Sequence, residues 1–193
     1  MNILDKLPEI ATLHRECIIN WKEHGVNLNQ DGFFKIVEEN HAFNYQLWHA
    51  EDRARREDMG YEFVYHAKRE IDNHNQQRNN RMEAMDEWLF IQLQPDTGAT
   101  CPVHSETPGM MIDRLSILAL KAYHMALQTT RQDVDELHRQ TCLNKRHIIE
   151  KQQQQLHHCL FNLLHEAKSK SRTFKVYHQF KMYNDPTLNP ELY

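Results

Sequence analysis

The sequence predicts an all-α protein: an antiparallel bundle of four to five long helices with an aromatic C-terminal tail packed on it. Three observations carry this expectation. Only 5 Gly and 6 Pro occur in 193 residues, and they fall in clusters that leave long uninterrupted blocks between them. Inside those blocks apolar residues recur at three- and four-residue steps rather than alternating. The composition, 40% hydrophobic and 26% charged, is that of a globular chain able to bury a core. With no internal repeat and no linker, residues 1–193 read as one domain.

The first helix is expected from about Pro8 to Glu23. Gly25 and Gly32 bracket a short loop, and the second helix runs from Phe33 through Ile36, Val37, Phe43, Leu47 and Ala54 to near Asp58. The third carries Val64, Ala67, Ile71, Met82, Met85 and Leu89 at helical spacing. Pro95, Gly98, Pro102, Pro108 and Gly109 crowd a central loop. Thr107 as N-cap with Pro108 at the first helical position then starts the fourth helix, which shows Met111, Leu115, Leu118, Ala122 and Met125. The fifth is expected from about Arg131 to Lys168, with Val134, Leu137, Ile148, Leu156, Leu160 and Leu163 on one stripe. The run Gln152 to Gln155 inside it reads as a solvated helix face. Tyr177, Phe180, Met182, Tyr183 and Tyr193 make the tail aromatic.

Several classes fall away on composition. A formal charge of −4 argues against nonspecific nucleic-acid binding, which rests on clustered Lys and Arg. No apolar run approaches the roughly 18 residues of a membrane span, and the first residues lack a basic stretch followed by an apolar one. A soluble protein of the cytoplasm is the expectation. Cys17, Cys101, Cys142 and Cys159 form no Cys-x-x-Cys pair, so they read as reduced thiols rather than zinc ligands or disulfides. Protonating the fourteen His would carry the formal charge from −4 to +10, so charge changes steeply between about pH 7 and 5.

Polar residues interrupt the apolar stripes at helical spacing. On the second helix Asn44, Trp48, Glu51 and Arg55 share one face, with Glu51 and Arg55 a natural ion pair one turn apart. On the third, Lys68, Asp72, Asn75, Asn79 and Glu83 form a second polar stripe, and Arg78 falls nearly on the apolar line. On the fourth, Asp113, Arg114, Lys121 and His124 lie beside Leu115 and Leu118. Burying such charges without partners costs several kcal/mol each. They therefore either neutralise one another in a network that fixes helix register, or hold a ligand between helices.

The segment Ser105-Glu106-Thr107-Pro108-Gly109 leads into the fourth helix, whose N-terminus can hold a phosphate or carboxylate with Arg114 one turn in. Gly109 permits close approach to the backbone. Plain capping is the alternative, with Glu106 and Asp113 answering the helix dipole. Bundle di-metal sites use paired Glu-x-x-His steps, and the chain offers only Glu38 to His41 and the looser Asp135 to His138. A magnesium site from Glu51, Asp52, Glu83 and Asp86 is a second metal arrangement. Cys101 with His104 lacks the orienting group a nucleophile pair needs.

At these motifs the chain resembles a bacterial family called domain of unknown function 4254. The matching segments are Asn44-x-x-Leu47-Trp48-His49-x-Glu51-Asp52-x-Ala54-Arg55, Lys68-Arg69-x-Ile71-Asp72-x-x-Asn75-Gln76-x-Arg78-Asn79, Ser105-Glu106-Thr107-Pro108-Gly109-x-x-Ile112-Asp113-Arg114-Leu115-Ser116-Ile117-Leu118, and Lys181-Met182-Tyr183-Asn184-Asp185-Pro186. Two departures are Asn80, where the pattern expects Asp, and His104, where it expects Asn. The resemblance implies a helical bacterial protein and a link to surface polysaccharide and lipopolysaccharide synthesis, and it favours a phosphate-bearing or sugar-nucleotide ligand.

The leading expectation is a cytoplasmic binding protein or enzyme with a polar site between the second, third and fourth helices for a small anionic ligand. Arg55, Lys68, Arg69, Arg78 and Arg114 supply positive charge and Asn75 and Asn79 neutral hydrogen bonds, while Glu51 and Asp72 orient the bases and Thr107, Gly109 and Asp113 complete the ligand-binding set. If chemistry occurs, Glu51 or His49 is the general base. No cofactor is identified. Two further readings are an interaction module, homodimeric through a helix face with the tail recognising a partner, and a magnesium-dependent nucleotide pyrophosphohydrolase built on the carboxylates.

Overall fold

A computed structural model describes residues 3–180, 182 and 185–192. It is an all-α bundle, as expected. The described elements are α1 (Ile3–His24), α2 (Gly32–Ala54), α3 (Tyr61–Leu93), α4 (Pro108–Thr129) and α5 (Glu136–Lys168), with two-residue strands β1 (Val103–His104) and β2 (Thr173–Phe174). Lys181, Tyr183 and Asn184 of the tail motif, and Tyr193, lie outside the described residues.

Helix α1 begins five residues before the expected Pro8. Proline removes the N–H that would bond the Leu4 carbonyl, yet Ile3, Leu4 and Leu7 are all buried, and that packing carries the helix across the gap. Helix α2 stops at Ala54, short of the expected Asp58. A 3₁₀ turn at Glu57–Met59 follows, and then Gly60 at φ +88° and ψ 165°, a conformation essentially restricted to glycine. That residue turns the chain so that α3 starts at Tyr61 and runs antiparallel along α2. Arg53 pairs with Glu70 at one end, and Arg81 with Glu39 at 3.0 Å at the other.

Helix α4 packs against all four other helices. Its N-cap is Thr107 with Pro108 following, as expected. Helix α5 starts later than Arg131, because Asp135 caps it by accepting the His138 N–H at 2.7 Å and Arg131 instead pairs with Asp133 in the preceding turn. Its expected stripe is only half buried. Leu156, Leu160 and Leu163 enter the core, whereas Leu137 and Ile148 are 75% and 56% exposed.

The core joins Leu7 and Ile10 of α1, Phe33 and Val37 of α2, Met85 and Leu89 of α3, Met111 and Leu115 of α4, and Leu160 and Leu164 of α5 in one cluster. The two short strands pair in parallel, Val103 with Thr173 and His104 with Phe174, a contact the sequence did not announce. They strap the C-terminal segment to the central loop. Phe174 is buried edge-on to Phe90, and Glu83 accepts the Gln179 N–H at 2.8 Å and contacts His178. Tyr177, Phe180 and Met182 remain exposed.

Candidate functional site

Of the polar residues flagged on α2, α3 and α4, Asn44 and Arg78 meet Asp113, whose side chain is 2% exposed. Its Oδ1 accepts from Arg78 Nε at 2.7 Å, Asn44 Nδ2 at 2.9 Å and Asn40 Nδ2 at 3.1 Å. Its Oδ2 accepts from Arg78 Nη2 at 2.6 Å. The pairing is bidentate, the geometry for which a planar guanidinium is suited, and it holds Arg78 more firmly protonated than an ordinary arginine. Four donor bonds compensate a carboxylate taken almost wholly out of water.

The network continues inward. Asn44 Nδ2 donates to Ser116 Oγ at 3.0 Å, Ser116 Oγ lies 2.7 Å from His41 Nδ1, and His41 Nε2 lies 2.9 Å from the His14 carbonyl oxygen. A carbonyl only accepts, so His41 carries its proton on Nε2, and Ser116 donates to Nδ1. Burial pushes the His41 pKa down to about 3, which keeps the ring neutral and this tautomer in place. His14 packs against it, ring centres 4.4 Å apart and tilted by 33°, and neither of its ring nitrogens has a hydrogen-bond partner among the described residues.

Above Arg78 a cleft of about 310 Å³ opens between α2, α3 and α4. Leu47, Trp48, Ile117 and Leu120 form its apolar walls, and Asn44 and Arg78 its polar floor. Trp48 is fixed by stacking on His124, 4.4 Å between ring centres and 7° from parallel. At the mouth Arg55 pairs with Glu51 at 2.8 Å. The neighbouring Asp52 is closed by no salt bridge among the described residues, and its charge is felt by His49 and His124.

The other expected site residues lie elsewhere. Lys68 and Arg69 pair with Asp72 on exposed α3 surface, and Asn75 and Asn79, half-buried, line no part of the cleft. His49 meets Tyr45 edge-on at 4.6 Å and faces a separate groove with Arg53, Glu70 and His74, so the two candidate bases occupy different faces of α2. Arg114 pairs with Glu106 and lines a groove between α4 and α5. The cations expected to surround one anion are thus divided.

The N-terminus of α4 is answered by the chain itself. Asp86 Oδ1 accepts the Gly109 N–H at 2.6 Å, and Thr107 Oγ1 accepts the Met110 N–H at 3.2 Å. The close approach that Gly109 permits is used by α3: a Cβ there would stand 2.4 Å from the Met82 carbonyl oxygen. Burial raises the Asp86 pKa to about 7. The magnesium arrangement is corrected accordingly, since Glu83 holds the tail and Asp86 caps α4. Among the described residues no three His, Cys, Asp or Glu side chains group for a metal ion.

Asn40 was absent from the expected site, and His41 and Ser116 were named only as part of a metal step and of a motif. The available signal was their spacing: Asn40 lies one turn before Asn44, and Ser116 one turn after Asp113 on the buried face of α4.

Residues 34–176, from α2 through β2, match the model of a family described as a protein of unknown function, DUF4254. Neither the curated proteins nor the solved structures give a match.

Proposed function

The chain belongs to that family, DUF4254, and we propose that it binds a small sugar-like ligand bearing a phosphate or related anionic group, with the hydroxyl-rich ring seated in the α2–α3–α4 cleft. The observation that carries this reading is the pose of Arg78. Asp113 uses two of its five N–H donors, leaving three for a ligand at the cleft floor. Trp48 offers a broad apolar face opposite, and Glu51 and Asp52 offer acceptors for hydroxyl groups at the mouth. Of the two candidate bases, Glu51 is the one placed beside such a ligand. The reading accords with the link to surface polysaccharide synthesis that the family resemblance implies. The four free cysteines accord with a reducing compartment such as the bacterial cytoplasm.

A thermal-shift series with free sugars, sugar phosphates and sugar nucleotides tests this, since a ligand bound only by the folded state raises its stability. Stabilisation by a sugar phosphate, reduced by Glu51→Gln and Asp52→Asn, supports the reading. A flat series refutes it. The exposure of Leu137 and Ile148 favours self-association through α5 as a second reading, tested by light scattering of the protein against Leu137→Ser/Ile148→Ser.

A further inference from the structure

The charges around the two sides of α4 differ in sign. In the cleft Arg55 and Arg78 face Glu51, Asp52 and the buried Asp113, an excess of one negative charge. The groove between α4 and α5, of about 670 Å³, reverses this: Arg114 and Lys121 face Glu106 alone. Arg114 spends a donor on Glu106 and keeps the others, while Lys121, exposed on the groove wall, ion-pairs with no described residue. Gln152 and Gln155 add side-chain amide donors from α5, and His104 lines the loop end with Nδ1 turned to the Glu106 carbonyl. A phosphate is repelled from the first site and attracted to the second.

The two share a wall residue. Ile117 lines both cleft and groove, and Arg114 and Lys121 flank it at steps of three and four along α4, so both cations reach the stretch directly across that ridge. Gln152 and Gln155, the two ends of a run that reads as a polar helix face, thereby acquire a use.

We infer that the α4–α5 groove is a phosphate-binding site, and that a sugar phosphate or sugar diphosphate lies across Ile117 with its ring in the cleft and its phosphates against Arg114 and Lys121. The ring half rests on the cleft reading above, whereas the phosphate half stands on the groove alone.

Titration calorimetry with inorganic pyrophosphate, glucose 1-phosphate and uridine diphosphate glucose separates the two halves. Arg114→Gln and Lys121→Gln alter exposed side chains that leave the fold intact, and each weakens pyrophosphate and both sugar ligands about tenfold, the loss of one charge-assisted hydrogen bond. Trp48→Leu weakens the sugar ligands and not pyrophosphate. Cys159, exposed on the groove wall, gives a local readout: in a Cys101→Ser background its alkylation slows when pyrophosphate binds. Absence of pyrophosphate binding, or binding indifferent to both groove variants, overturns the phosphate site whatever the sugars do. Pyrophosphate binding through Lys121 with sugar ligands indifferent to Trp48→Leu upholds the groove and overturns the spanning ligand.

Discussion

Arg78 and Asp113 meet through two parallel hydrogen bonds, of 2.7 and 2.6 Å, that join α3 to α4 beneath the cleft. One residue is nearly inaccessible and the other reaches solvent, so the pair anchors structure on one side and presents donors on the other.

Removing one member exposes the asymmetry. Arg78→Ala leaves Asp113 with two neutral amides for compensation and costs about 3 kcal/mol, the usual penalty for an uncompensated buried charge. Arg78→Lys keeps the charge without the fork and costs less. Urea denaturation of the two variants checks both, and equal losses would show that the fork geometry is immaterial.

Gly109→Ala forces α4 away from α3, because the new Cβ would sit 2.4 Å from the Met82 carbonyl and 2.9 Å from Asp86 Oδ1. A loss of about 2 kcal/mol follows from overpacking against backbone. Gly60→Ala meets nothing within 4 Å and destabilises by about 1 to 3 kcal/mol through φ alone. Melting temperatures of both variants check this, and an unchanged melting temperature for Gly109→Ala would contradict the close approach of α3 to α4.

Asp86 and the buried histidines pull stability in opposite directions with pH. Asp86 titrates near 7 when folded and near 3.8 when unfolded, so its contribution is complete below about pH 4 and is lost as pH rises through 7, a change on the order of 4 kcal/mol. Asp86→Asn retains an acceptor for the Gly109 N–H, and so gains stability over the parent at pH 8 but not at pH 5. Equal differences at the two pH values in urea melts would contradict the burial argument.

His14 and His41 behave the other way. Burial holds both pKa values down, and for His14 the neighbouring His41 adds to the effect. The unfolded chain takes up protons near pH 6.5 that the folded one refuses, so this stability is present above 6.5 and is lost as pH falls towards 3. His14→Phe keeps a ring against His41 and removes two unpartnered nitrogens. It stabilises the protein, and does so more at pH 5.5 than at pH 8, as measured by urea midpoints.

What could be read from the sequence, and what could not, divides along the range of the interactions. Helices announced themselves through local periodicity, and Thr107-Pro108 marked the start of α4 because capping is a contact between near neighbours. Arg78 and Asp113 were conspicuous as charges on apolar lines. Their pairing was not visible, because it depends on which helices become neighbours 35 positions apart. For the same reason Asp86, on the Met82–Met85–Leu89 line, gave no hint that it caps a helix beginning beyond the central loop. Arg114, one position from Asp113, faces the α4–α5 groove instead, a 100° step that helical geometry dictates. Pro8 misled in the simplest way, since its local penalty was outweighed by burial of Ile3, Leu4 and Leu7.

The central claim is that the cleft floored by Arg78 and walled by Trp48 is a ligand site. The chain has three tryptophans, Trp21, Trp48 and Trp88, and Trp21 Nε1 is bound to the Asn27 carbonyl at 2.9 Å. Indole N–H resonances of ¹⁵N-labelled protein, assigned with single Trp→Phe variants and titrated with glucose 1-phosphate, therefore report on the cleft directly. A saturable shift of the Trp48 signal, with those of Trp21 and Trp88 unmoved, is the predicted result. A Trp48 resonance that stays in place while the ligand binds elsewhere, or three resonances that never move, would contradict the claim.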